Sequence, residues 1–254
     1  MGDETEKTGA RSAIILAIVV VLVAVFSVEF GLQTLVWGET RHWATSNPFL
    51  LDVPQPLRQP MEQPKGTEVR AYGYEFTAPW PGNVTPVPSI TNTAFRFASG
   101  HVVVFFDPET TVDTLHELQS SSQAQYIAFA SVFAGRPFDT NYALFKAIYE
   151  ASPAQTSPFG DRGDALRLNQ LLLWKLSFGV DAPGDMSSFD FGRNRGFQFG
   201  DPAQRLPVAI RVFTDRDQQF RLVFVVADGS SAKITQDDID CVIQSVQRIP
   251  FDIH

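Results

Sequence analysis

Residues 206–228 read LPVAIRVFTDRDQQFRLVFVVAD, two apolar runs on either side of a polar turn around Arg216 and Asp217. Val, Ile and Phe dominate both runs, and each run has the length of a strand. The pattern predicts an antiparallel hairpin, which is the strongest strand signal in the chain. Antiparallel β-structure is therefore expected in the C-terminal part of the protein.

A second hairpin is predicted just upstream, where two pairs of phenylalanines flank the turn sequence GRNRG at residues 192–196. The pairs are Phe189 with Phe191 and Phe197 with Phe199. Their arrangement predicts a hairpin with one aromatic face, and Arg193 and Arg195 lie in its turn.

A closing helix is predicted after the strong hairpin. Thr235 is a good N-cap residue, and the acids at positions 237 and 238 suit the positive end of a helix dipole. The helix is amphipathic, and its apolar side is expected to face the sheet. The residues of this side are Ile239, Val242, Ile243 and Val246.

The N-terminal part of the body also predicts strands. In VRAYGYEFTAPW, residues 69–80, aromatic side chains alternate along one face of a strand that ends at Pro79. A Pro- and Gly-rich turn region follows at 81–88. A further hairpin is predicted around Ser99 and Gly100, with Phe95 and Phe97 on one face.

A helical block is predicted between the two groups of strands, at residues 108–120, 123–134, 141–151 and 164–176. The second segment is apolar on nearly all sides and is expected to be the most buried. The last six residues of the fourth segment fit a strand equally well. Strands, a helical block, more strands and a closing helix together predict an α+β domain with an antiparallel sheet.

The N-terminus carries a different signal, since residues 13–28 read AIILAIVVVLVAVFSV without a charge. A membrane-spanning helix needs about 20 apolar residues, so the run is long enough only if the helix continues to Trp37. The prediction is a transmembrane helix over residues 12–37. A cleaved signal peptide is the alternative, but acids in the first eleven residues and the lack of an Ala-x-Ala site argue against it.

Positive charges near the span predict its direction. Lys7 and Arg11 precede it and Arg41 follows it, which favours a cytoplasmic N-terminus and a periplasmic or extracellular body. The expected organisation is a cytoplasmic segment at 1–11, the transmembrane helix at 12–37, a Pro-rich linker at 38–66 and a soluble α+β domain at 67–254.

The predicted membrane helix has features that would suit a partner helix. Ala17, Ala24, Ser27 and Gly31 form a stripe of small residues, and such stripes let helices approach closely. Glu29 could meet a basic group on that partner. The simpler interpretation is that the stripe arises by chance and that Glu29 reaches the lipid headgroups or water. The stripe and Glu29 together nevertheless favour a membrane-protein partner, which is expected beside the lipid bilayer.

The linker allows two geometries. Five prolines between residues 47 and 64 favour an extended chain of about 3.1 Å per residue, which could hold the body up to roughly 50 Å from the membrane. The apolar triplet at 49–51 indicates instead that part of the linker lies buried along the body.

Composition excludes several classes of function. The net charge is −8, and the chain after residue 44 has 17 basic and 23 acidic residues, a poor match for nucleic acid. Its single cysteine, Cys241, permits no internal disulfide. The chain has 22 phenylalanines but only 5 tyrosines, which suits a packed core or a cavity for an apolar ligand.

Known catalytic patterns are missing from the sequence. It contains no Gly-x-Ser-x-Gly elbow, and the Ser-x-x-Lys at 230–233 lacks the other elements of penicillin-recognising enzymes. The four histidines do not occur at metal-ligand spacing, and the glycine-rich turns lack the context of phosphate loops. No catalytic residue, cofactor or metal site is predicted.

The sequence therefore favours a non-enzymatic, membrane-tethered binding or assembly module, an accessory subunit of a membrane complex. One alternative is an enzyme whose site is assembled from dispersed residues, of which the candidates are His101, His116, Asp161, Arg162 and Asp164. The other is a carrier of an apolar ligand with an anionic head. The predicted ligand or partner contacts are Phe191, Arg193, Arg195 and Phe197.

Overall fold

The computed structural model describes residues 31–249 except for positions 32–33, 36, 44, 59–64, 109–112, 121–127, 129–130, 133–136, 156, 158–161, 179–184 and 205–206. Most of the predicted transmembrane helix, with Ala17, Ala24, Ser27 and Glu29, lies outside the described residues. Gly31 is described and is helical. Of the helices that are described, none combines the length and the apolar character needed to cross a bilayer.

The chain forms an α+β fold around a large mixed sheet. Its strands are β1 (Gln55–Pro56), β2 (Thr67–Ala71), β3 (Tyr74–Ala78), β4 (Val84–Pro88), β5 (Asn92–Phe97), β6 (His101–Phe106), β7 (Met186–Asp190), β8 (Asn194–Phe199), β9 (Val208–Thr214), β10 (Gln219–Val226) and β11 (Gln247–Arg248). Eight of them make one sheet in the order β1-β7-β8-β9-β10-β6-β5-β4, and a small second sheet has the order β11-β3-β2. Every pair is antiparallel except β1 with β7, as the predicted hairpins require.

The two faces of the large sheet bury two separate apolar clusters. One face, here called the hairpin face, packs against the small sheet and the closing helix α4 (Gln236–Ser245). The other, here called the helical face, packs against α1 (Thr114–Ser120), α2 (Asn141–Glu150) and α3 (Arg162–Phe178). Alternate residues of the strong hairpin point to opposite faces, because successive side chains of a strand do so. Ile210 and Val212 belong to the hairpin face, and Ala209 and Phe213 to the helical face.

Residues 69–78, predicted as one strand, are a hairpin instead. Tyr72 and Gly73 both have left-handed backbone conformations, with φ of 51° and 75°, and turn the chain between β2 and β3. Two positive φ values in succession form the tight turn whose twist matches that of the adjoining strands. The turn was not predicted because Tyr72, Tyr74 and Phe76 alternate as in a continuous strand.

The closing helix α4 forms as predicted. Thr235 accepts a hydrogen bond from the Asp238 amide, and the Asp238 carboxylate accepts one from the Thr235 amide, which completes a capping box. Ile239, Val242 and Ile243 are fully buried in the core of the hairpin face. Cys241 is a free, half-buried thiol at the same helix.

Three further expectations meet different outcomes. The hairpin around residues 99–100 is confirmed, with Phe95 and Phe97 buried together. The turn region at 81–88 contains β4, an edge strand in which Pro86 and Pro88 cannot donate backbone hydrogen bonds. The fourth helical segment is helix throughout, as α3, and most of the predicted helix at 123–134 lies outside the described residues.

The first part of the Pro-rich linker is docked on the body. Leu50 is fully buried in the core of the helical face, and β1 pairs with the edge of β7. Residues 47–58 therefore follow the second of the two predicted geometries, along the surface of the body.

Lys175 of α3 fixes this docked segment. Its side chain is fully buried, and its ammonium donates hydrogen bonds to the carbonyl oxygens of Leu50, Asp52 and Ala151, the last at 2.8 Å. Burial lowers the pKa of Lys175 to about 8, which leaves the group protonated at neutral pH. One side chain thus joins the linker, the end of α2 and α3.

We expect Lys175→Met to destabilise the protein by about 2–4 kcal/mol, because the carbonyl groups of the buried residues Leu50 and Ala151, and that of Asp52, would lose their donor. This loss outweighs the cost of burying the ammonium, which methionine removes. Chemical denaturation measures the change, and limited proteolysis should cut residues 47–58 sooner. Lys146→Met is the matched control, since Lys146 is half exposed and makes only a 3.8 Å pair with Glu150. Equal stabilities of the two variants would contradict the role of Lys175.

Asp240 of α4 predicts a pH-dependent effect. Burial raises its pKa from 3.8 to about 6, although Gln236 donates a hydrogen bond to its carboxylate at 2.8 Å. The folded chain therefore holds this proton more tightly, so stability from this group falls as pH rises from 3.8 to 6. We expect Asp240→Asn to gain about 2 kcal/mol at pH 7 and nothing below pH 4.

Urea denaturation at pH 4 and pH 7 measures this difference. Asp228→Asn is the control, because Asp228 is exposed in the turn that follows β10. It should be nearly neutral at both pH values, whereas Asp237 would be an unsuitable control because its charge itself raises the pKa of Asp240. A gain from Asp240→Asn that is the same at both pH values would exclude titration as its cause.

Candidate functional site: an arginine-lined cleft

A cleft of about 520 Å³ lies at one end of the hairpin face. Three chain segments enclose it: the β7–β8 turn, the β9–β10 turn, and the residues that follow α4. They contribute Arg193, Arg216 and Arg248, all exposed. The rest of the lining is Tyr74, Asn194, Thr214, Asp215, Gln218, Val246, Gln247 and Ile249.

Asp217 fixes the turn that carries Arg216. Its carboxylate accepts hydrogen bonds from the backbone N–H groups of Asn141, at 2.5 Å, and Tyr142, at 3.1 Å, at the start of α2. These groups have no partner within the helix, and the helix dipole favours an anion there. Asp217 adopts a left-handed φ of 58°, a conformation that Asp tolerates better than most residues. The strong hairpin is therefore joined directly to the helical layer.

Asn194 fixes the turn that carries Arg193. Its buried side-chain amide donates hydrogen bonds to the carbonyl oxygens of Ile243 and Val246, each at 2.8 Å. Carbonyls at the end of a helix lack partners in the helix, so Asn194 caps the C-terminus of α4. Arg193 itself reaches towards the side chain of Gln247 across the cleft, at 3.5 Å.

Tyr74 connects the residues that follow α4 to the β9–β10 turn. Its buried ring lies opposite Arg248 in the β3–β11 pair, and its hydroxyl donates a 2.6 Å hydrogen bond to Gln218. Burial raises the pKa of the Tyr74 hydroxyl, while the nearby Arg248 guanidinium lowers it. Each cleft arginine thus lies beside a residue that is fixed in the fold. Arg193 and Arg216 precede Asn194 and Asp217 in the chain, and Arg248 pairs with Tyr74.

The cleft has the chemistry of an anion-binding site. Three guanidinium groups face one carboxylate, Asp215, while the body as a whole is acidic. Guanidinium groups match carboxylate and phosphate oxygens with paired hydrogen bonds. The amide and hydroxyl side chains of the lining can donate and accept further hydrogen bonds.

The four predicted contact residues do not share this site. Arg193 lines the cleft, whereas Arg195 stacks on Tyr142 of α2, with 4.3 Å from its guanidinium carbon to the ring centre. Phe191 packs beside Phe189 on the hairpin face, and Phe197 is fully buried on the helical face.

The register of the β7–β8 hairpin explains the separation. Phe189 pairs with Gly196 rather than with a phenylalanine, so the two pairs of aromatic residues point to opposite faces. A Cβ at position 196 would lie 2.0 Å from the Arg211 carbonyl oxygen and 2.8 Å from the Phe189 ring. Only glycine leaves room at position 196. Because the two pairs of phenylalanines point to opposite faces, the prediction of a single aromatic face is wrong.

The candidate residues of a dispersed enzyme site are also separated. His101 is buried on the hairpin face, where it stacks on Trp80 and contacts Ser99 at 2.8 Å and the Lys233 carbonyl at 3.0 Å. His116 and Asp164 are exposed on helices of the opposite face. Asp161 and the side chain of Arg162 lie outside the described residues.

Metal-binding clusters are also absent from the described part of the chain, where no three His, Cys, Asp or Glu side chains are placed to hold an ion. Comparison with known protein families, curated proteins and solved structures finds no match to this chain.

We expect Asp217→Ala to lower the free energy of unfolding by about 2–3 kcal/mol, because two N–H groups in the first turn of α2 would lose their acceptor and alanine disfavours a left-handed backbone. The N-cap of α2, Thr140, would remain. Asp217→Asn should cost about 1 kcal/mol, since asparagine tolerates this backbone and keeps one acceptor. Asp215→Asn is the control in the same turn and should be nearly neutral. Urea denaturation measures all three, and equal losses for Asp217→Ala and Asp215→Asn would contradict the role of Asp217 at the start of α2.

Proposed function

We propose that this chain is a membrane-tethered, extracytoplasmic binding module that serves as an accessory subunit of a membrane complex. The arginine-lined cleft is the surface that it presents to its partner. The cleft carries the proposal, because three exposed guanidinium groups lie on two turns and a short strand whose neighbouring residues are fixed by hydrogen bonds or strand pairing. A site on rigid supports loses little conformational freedom when it binds.

The tether in this proposal is the predicted transmembrane helix at 12–37, with its N-terminus in the cytoplasm. The uncharged run at 13–28 supports it. The docked linker supports a close approach of the body to the membrane. Helical residues 37–43 precede the linker segment that Lys175 holds by hydrogen bonds. Thr40 is buried, and Trp43 packs against the core of the helical face.

The polar lining of the cleft favours a binding module over a carrier of apolar ligands. Many of the described phenylalanines pack in the two cores, as in the stack of Phe105 on Phe76 and Phe220. Packed rings supply stability, and they offer a ligand little surface.

Photo-crosslinking in intact membranes tests the proposed function. A benzophenone amino acid replaces Asp215 or Gln247 in the cleft of the full-length chain, and Ile90 serves as the control. Ile90 is 94% exposed in the β4–β5 connection, at the opposite edge of the large sheet. We expect both cleft positions to capture the same protein, and Ile90 not to capture it.

The added substitution Arg216→Gln should reduce this capture at position 247 at least fivefold, because the partner would lose one of its charged contacts. A product that is equally strong from position 90, or insensitive to Arg216→Gln, would contradict the use of the cleft.

A further inference from the structure

We infer that the arginine-lined cleft recognises a short acidic segment of a protein, with one or two carboxylates held between Arg193, Arg216 and Arg248. This inference rests on the proposed function, since it names the chemistry of the partner at the same site. It follows from the charge, the size and the hydrogen-bonding groups of the cleft.

Charge limits the ligand to a small number of negative groups. The lining has three guanidinium groups and one carboxylate, so its own balance is positive by two, and the adjacent Glu75 carboxylate, which contacts Gln247, is paired with Arg70 at 3.3 Å. The surrounding body carries six more acidic than basic residues. Extended polyanions and anionic bilayers would meet repulsion outside the cleft, whereas one or two carboxylates would meet only its positive interior.

Hydrogen-bonding groups favour a peptide over an inorganic anion. Phosphate sites often use the free N–H groups of a helix N-terminus. Here those of α2 are occupied by the carboxylate of Asp217, and α4 is capped by Thr235 and Asp238. The cleft instead offers side-chain donors to a peptide C=O group: the amide nitrogen of Gln218, whose oxygen already accepts from Tyr74, and the Thr214 hydroxyl. The Gln247 amide is engaged by Glu75 and Arg193.

Size is consistent with a segment of a few residues. A volume of about 520 Å³ lies within the range of roughly 300–1,000 Å³ that is typical of ligand pockets. The three arginines come from three walls of this space, so a segment lying in it has a guanidinium group on each side. The exposed position of Arg193 and Arg216 leaves both accessible from solvent.

The test measures binding of a fluorescent tetraglutamate peptide to the full-length chain purified in detergent. Its tetraglutamine analogue should bind at least tenfold more weakly. Arg193→Gln and Arg216→Gln should each weaken tetraglutamate binding about five- to tenfold, because each removes a charged contact. Asp215→Asn should strengthen it about two- to threefold, since it removes the one carboxylate of the lining.

Arg96→Gln is the matched control, because Arg96 is exposed on β5 and does not line the cleft. It should leave affinity unchanged, and thermal melts of all variants should coincide because these side chains are exposed. Inorganic phosphate and vesicles containing phosphatidylglycerol are the competing probes. Tighter binding of either, lost in Arg216→Gln, would replace the acidic peptide as the ligand.

Equal tetraglutamate binding by wild type and Arg216→Gln would overturn the inference. The two proposals fail separately. Crosslinking at the cleft without binding of tetraglutamate would refute the acidic ligand and keep the binding module. Binding of tetraglutamate without crosslinking in membranes would refute the binding module and keep the affinity of the cleft for acidic ligands.

Discussion

The carboxylate of Asp217 is the interaction on which the arrangement of the layers depends. It lies in the turn of the strongest hairpin and accepts two backbone N–H groups at the start of α2. The Asn141 side chain extends the contact, since it donates to Asp113 and accepts from the Leu115 amide of α1. One charged turn residue therefore positions two helices on the sheet, in a place where the helix dipole favours negative charge.

The same turn builds the cleft, which relates stability to the proposed function. Asp217 points into the helical layer while its neighbour Arg216 faces the cleft. Asn194 and Arg193 repeat this arrangement in the next hairpin, where the buried residue caps α4 and the exposed one is available to a ligand. The hydrogen bonds that join the sheets to the helices thus also hold the two turns that line the cleft.

Local patterns allowed much of the fold to be predicted. The hairpins at 93–106 and 208–226, the Thr235 cap and the helices α2 and α4 follow from periodicity, turn residues and capping preferences that act over a few residues. The β2–β3 turn and the faces of the β7–β8 hairpin were missed. Both depend on register, and a change of one residue in the pairing moves every side chain to the other face.

The α+β fold class, the acidic body and the uncharged N-terminal run that predicts a membrane tether could all be read from the amino-acid sequence. The sequence also placed Arg193 in a turn. Only the tertiary structure brought Arg193, Arg216 and Arg248 together from positions up to 55 residues apart. It likewise separated Arg195 and Phe197 from them and buried Lys175 under the linker. The physical reason is that a cleft depends on how sheets and helices pack, and no local pattern encodes that packing.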